Sequence, residues 1–99
     1  MNTSTSNPLK IDKYLLGRIK FTDQEVLNCT QTKNERVALL NKAMALGNLH
    51  RHHVRIKFYD AYGHHLETEA TVWGVTEKHV ILKSHLMIPI HSITSLELI

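Results

Sequence analysis

An α+β domain is what this sequence predicts, with an N-terminal arm and two short helices followed by a five-stranded small β-barrel. Two observations carry that prediction. From Val54 to Ile99, apolar residues alternate with polar ones in short runs separated by turn signals, the period of half-buried strands. Ahead of that stretch, two Thr-x-x-Glu patterns mark helix starts. Ninety-nine residues supply one modest core. One domain is therefore expected over 9–99, with the arm and helices in 9–48 and the barrel in 52–99, behind a disordered Asn/Ser/Thr-rich tail at 1–8.

The arm begins with Leu9, Ile11, Tyr14, Leu15 and Leu16, a helical turn or an extended strip, broken at Gly17. Arg18 to Phe21 alternates, which points Ile19 and Phe21 inward. Thr22-Asp23-Gln24-Glu25 opens a first helix, Asp23 to about Cys29, and Thr32-Lys33-Asn34-Glu35 opens a second, about Lys33 to Leu46. Gly47-Asn48 are residue types that end a helix in a left-handed turn. The second helix carries Val37, Leu40 and Met44 on one stripe, and an apolar arc that broad seeks burial.

Five strands follow. Val54 to Asp60 turns Val54, Ile56 and Phe58 inward, and Asp60-Ala61-Tyr62-Gly63 has a type I turn signature. Leu66 to Val75 is one long strand bent at Gly74, with Leu66, Thr68, Ala70 and Val72 inward. His79 to Lys83 and Leu86 to Ile90 come next. A helical turn at His91-Ser92-Ile93 leads into a last strand, Ser95 to Ile99.

The short strands, the long bent second strand and the closing run from Met87 to Leu98 resemble the SH3-like and Sm-like small barrels. The resemblance covers about half the chain. Helices ahead of a barrel are similar to the Sm-like arrangement, which implies RNA binding and ring assembly. The Asp with Asn/Gly signatures of those RNA pockets are not evident, so no binding residue is carried over.

Composition narrows the function classes. Cys29 is the only cysteine, which excludes an internal disulfide and a Cys-x-x-Cys site and suits a reducing cytoplasm. Charges interrupt every apolar run of Leu9–Phe21, so neither a signal-peptide core nor a membrane span is expected there. Of the net +3, the excess lies in residues 1–50, with seven Lys/Arg against four Asp/Glu, while 51–99 balance at five each. Seven of eight histidines lie in that second half, which becomes basic only on acidification.

Candidate sites are few. Arg51, Arg55 and Lys57 with Tyr59, and Trp73 on the neighbouring strand, combine cations with aromatic platforms as single-stranded nucleic-acid binders do. Glu67 and Glu69 share that outer face and would pair with Arg55 and Lys57 across strands. Val37, Leu40 and Met44 are the candidate self-association stripe, with a strand edge near Leu96 to Ile99. The histidines lack zinc spacing and nothing flags Cys29 as a nucleophile, so no metal, cofactor or catalytic residue is expected. The expected function is non-enzymatic binding of a protein partner or of further copies of the chain. The alternative is an RNA- or DNA-binding regulator using the outer face of the first two strands. A histidine-based metal or acid sensor is a third, weaker reading. Neither a membrane nor a small-molecule substrate is an expected partner.

Overall fold

The computed structural model describes residues 7–99, so residues 1–6 of the expected tail lie outside the described residues. One long helix, α1 (Thr30–His50), accompanies seven strands: β1 (Leu9–Lys10), β2 (Val54–Tyr59), β3 (His65–Ala70), β4 (Val72–Val75), β5 (His79–Leu82), β6 (Met87–Pro89) and β7 (Ile93–Leu98). The strands form a four-stranded sheet, ordered β1-β3-β2-β7, and a three-stranded sheet, ordered β4-β5-β6. The fold is α+β as expected. The five-stranded barrel and the pair of short helices are not what forms.

The alternating pattern does place the core. Val54, Ile56 and Phe58 on β2 are fully buried, and register sets them opposite Ala70, Thr68 and Leu66 on β3 and Leu98, Leu96 and Ile93 on β7. The turn between β2 and β3 is built as its composition suggests. Asp60 accepts hydrogen bonds from the Tyr62 and His64 amides at 2.9 and 2.8 Å, and Gly63 takes a left-handed φ of 84°.

Closure fails at two places. The long strand is divided at Thr71 rather than bent at Gly74, because the Thr71 carbonyl accepts the Lys83 amide at 3.0 Å and turns the chain into the second sheet. Gly74 instead sits at the irregularity in the β4–β5 register, with Ile81 over it. At the other end, a 3₁₀ turn at Ile90–Ser92 separates β6 from β7 and leaves them in different sheets.

The first expected helix is absent because its capping partners bind elsewhere. Thr22 still accepts the Gln24 amide at 3.2 Å, but its own N–H donates to the Tyr59 carbonyl. Glu25, which a capping box would aim back at Thr22, instead receives Arg36 in two hydrogen bonds of 2.7 and 2.9 Å. Val26 donates to the His91 carbonyl, and His91 Nε2 lies 2.7 Å from the Thr22 carbonyl oxygen. Residues 22–29 are thereby held as a strap against the Ile90–Ser92 turn.

Helix α1 starts earlier and ends later than its sequence signals suggest. Thr32 hydrogen-bonds the Cys29 carbonyl oxygen, and Arg51, not Gly47, closes the helix with a left-handed φ of 54°. Gly47 serves packing instead, because a Cβ there would collide with the Val72 carbonyl oxygen and only glycine lets α1 approach β4. The buried side of α1 is Arg36, Leu40, Ala43 and Gly47. Leu40 is wholly inside this chain's own core and Met44 packs partly against it, whereas Val37 is 46% exposed. The expected stripe is therefore split, because Arg36 takes the buried position beside Val37. Among the described residues no helix is long and apolar enough to cross a membrane.

These contacts can be probed by substitution and by acid. Gly47→Ala should lower the free energy of unfolding by about 2 kcal/mol in urea titration, since backbone must move to admit the methyl group. Arg36 holds the Glu25 carboxyl at about 2, below its ordinary 4.5. The stabilisation from this pair is complete above about pH 4.5 and is lost as the pH falls toward 2. Acid titration followed by circular dichroism should show that loss, and Glu25→Gln should flatten it while lowering stability at neutral pH by about 1–3 kcal/mol.

Candidate nucleic-acid interface

Four of the five candidate nucleic-acid residues divide between two places, and the fifth stands apart. Arg55 and Lys57 point outward from β2 into a row of carboxylates. Lys57 Nζ lies 3.0 Å from Glu97, and Arg55 reaches Glu97 and Glu69 at 3.7 and 3.8 Å. Arg55 Nε is 3.4 Å from Glu67 as an ion pair without hydrogen-bond alignment. Glu67 is buried, because β1 runs beside it with Lys10 in register. The Lys57 hydrogen bond holds the Glu97 carboxyl below the usual range. With Lys10 from β1, three cations stand against three carboxylates, and Arg55 and Lys57 are already engaged by them, so β2 offers a polyanion no unpaired cation.

Tyr59 does not offer a free platform either. Its ring stacks on His65 at 4.6 Å between centroids, and His65 Nε2 lies 2.9 Å from Thr94 Oγ1. Burial, with Lys57 nearby, holds the His65 imidazole below its ordinary range and so favours its neutral form.

Arg51 and Trp73 do come together, in the other sheet's territory. With His53, Thr71 and Lys83 they line a cleft of about 250 Å³. Each wall has a local cause. Arg51 caps the C-terminus of α1, where the helix dipole favours a cation. Trp73 follows inward Val72 on β4 and therefore faces out, 44% exposed. Lys83 is positioned by the hydrogen bond that its backbone N–H donates to the Thr71 carbonyl. His85 meets the Trp73 ring edge-on, 6.2 Å between centroids. Ile81 and Met87, paired across β5 and β6, continue the outward face beside Trp73.

Backbone strain gathers at this cleft. Among the described residues, the non-glycine residues with left-handed φ are Arg51 (54°), Ser84 (72°) and His85 (63°). Each costs on the order of 1 kcal/mol relative to glycine, and such residues concentrate at functional sites. Ser84-His85 is legible as a turn between strands, but nothing in the sequence places Lys83 and His85 beside Trp73.

Two other clefts are occupied by their own chemistry. The larger, about 560 Å³ between α1 and the turns at 76–78 and 90–91, contains the Glu25–Arg36 pair and the bound His91. One of about 280 Å³ beside β1 contains Glu67 and Glu69, which face Arg55. Cys29 is exposed at the start of α1, where the Thr32 and then the Gln31 amides hold the thiol below its ordinary value and Glu35 opposes them. Among the described residues no imidazole hydrogen-bonds this thiol, and no group of three His, Cys, Asp or Glu side chains converges as for a metal. His64 pairs with Asp60 at 2.9 Å, so three histidines serve the structure rather than lying free in loops.

Comparison of the chain with family models, curated proteins and solved structures gives no match. The cleft is therefore characterised by its own geometry. Thr71→Val, which keeps the Thr71 carbonyl, should leave Trp73 fluorescence unchanged, whereas Lys83→Pro, which removes the amide donor, should shift it by releasing the wall that carries His85.

Proposed function

We propose that this chain is a non-enzymatic binding protein that holds single-stranded nucleic acid at the Trp73 cleft. One observation carries the reading: an exposed indole lines one cleft with two cations, Arg51 and Lys83, that form no ion pair among the described residues. A base stacks on the indole, a contact worth about 1–3 kcal/mol that tolerates any base. The flanking cations meet the phosphates on either side and release counterions. The Arg55 and Lys57 face, committed to its carboxylates, plays no part.

A second reading, association with a protein partner or a further copy, is favoured by β7. This strand pairs with β2 on one side and forms the border of its sheet on the other, which offers an edge for an added strand. Leu40 and Met44 do not serve that reading, since both face the core of their own chain.

Fluorescence anisotropy of a labelled single-stranded RNA tests the first reading. Trp73→Ala and Lys83→Glu should each weaken binding about tenfold, while Lys57→Glu should change it by less than about twofold. Affinity should fall steeply with salt. No binding at low salt, or a Trp73→Ala variant that binds as wild type does, would overturn the reading. Sedimentation equilibrium at rising concentration tests the second: a constant monomer mass rejects self-association.

A further inference from the structure

Imidazoles crowd the two cations of the Trp73 cleft. His53 lines the cleft, and His85 lies edge-on against Trp73. His50 and His52 bracket Arg51, with their rings 6.1 Å apart. His53 and His85 therefore stand at the cleft of about 250 Å³, while His50 and His52 flank Arg51 along the chain. The remaining four lie elsewhere: His64, His65 and His91 are bound to Asp60, Thr94 and the Thr22 carbonyl, and His79 is on β5 opposite Pro89.

The charged surroundings favour added positive charge poorly unless an anion is present. From the end of α1 the cleft receives Arg51, and from the 83–85 turn it receives Lys83. β4 contributes Trp73, and the link before it Thr71, both uncharged. β2 begins at Val54, directly after His53, and its first ionisable side chain, Arg55, is engaged with Glu67, Glu69 and Glu97. β7 passes His53 through the Ile99 amide, which donates to the His53 carbonyl, and Glu97 on that strand is engaged with Lys57 and Arg55. No carboxylate side chain among the described residues lines the cleft to neutralise an imidazolium. A polyanion would fill that role.

We propose that nucleic-acid binding at this cleft is strengthened by acid, the imidazoles of His53 and His85, with His50 and His52 beside Arg51, taking up protons as phosphates arrive. The inference rests on the nucleic-acid reading above. Imidazole is the side chain whose charge changes between pH 8 and 5 without special tuning. Linkage makes the effect reciprocal: acid raises affinity, and binding draws protons onto the protein. An imidazolium that meets a phosphate at this exposed surface should raise affinity by about twofold to fivefold. Each also adds about one unit to the slope of affinity against salt.

The test uses a labelled uridine oligomer, whose bases take up no protons between pH 8 and 5. Anisotropy titrations at about pH 7.5 and about pH 5.8, each at two salt concentrations, should show tighter binding and a steeper salt slope at the lower pH. The double variant His53→Gln/His85→Gln changes two exposed side chains. Measured against its own affinity at the higher pH, it should lose most of the gain that wild type shows at the lower. Calorimetry at about pH 6.5 in two buffers of different ionisation enthalpy should register proton uptake by wild type on binding. Equal affinity at both pH values, a double variant with the full acid gain, or zero proton uptake would each overturn the inference while leaving nucleic-acid binding intact. No binding at either pH would overturn both.

Discussion

Arg36 is the residue on which the arrangement of this fold depends. It is 5% exposed, on the side of α1 that meets the sheets, and its guanidinium grips Glu25 with two nitrogens while donating to the Ile93 carbonyl at 2.9 Å. A buried guanidinium without partners would be costly, so the sequence position of Arg36 obliges other elements to come to it. Glu25 is drawn out of a capping box and brings the strap at 22–29 with it. Ile93, the first residue of β7, is drawn to the same point. Helix, strap and final strand are thus fixed by one planar group, and the apolar contacts of Leu40 and Ala43 fill in behind it.

The two outer faces of the molecule differ in electrostatic character for reasons of register. On the four-stranded sheet, pairing sets Arg55 opposite both Glu69 and Glu97, so the cations of β2 find carboxylates across the ladder. On the three-stranded sheet, the outward positions hold Trp73, Ile81 and Met87, and the cations arrive from the helix end and a turn rather than from a paired strand. Opposite-charge pairing stabilises a sheet surface. A cation delivered from outside the ladder stays available to a ligand.

Much of the architecture was legible in the sequence because it follows from period and turn chemistry. The inward rows of β2 and β3, the Asp60 turn and the 3₁₀ turn near His91 all rest on local rules. What was not legible depended on partners distant in the chain. Glu25 and Thr22 satisfy a local helix-start pattern, yet their partners Arg36, Tyr59 and His91 come from three other elements. Gly47 carries the same ambiguity: a glycine that ends a helix and a glycine that admits a neighbouring backbone are identical on paper. The candidate interface was half legible for the same reason. Arg51 and Trp73 were singled out as a cation and an aromatic, but the division of the long strand at Thr71 decides which of their companions stand beside them.

The contact between Gly47 and Val72 sets the span of the cleft as a jaw of fixed gauge. Arg51 lies one helical turn beyond Gly47, and Trp73 is the residue after Val72, so both walls are referred to a meeting of two main chains. No side-chain rotamer stands between the reference points. The main-chain positions that carry Arg51 and Trp73 are therefore held apart by a contact between backbones, before either side chain takes up its rotamer.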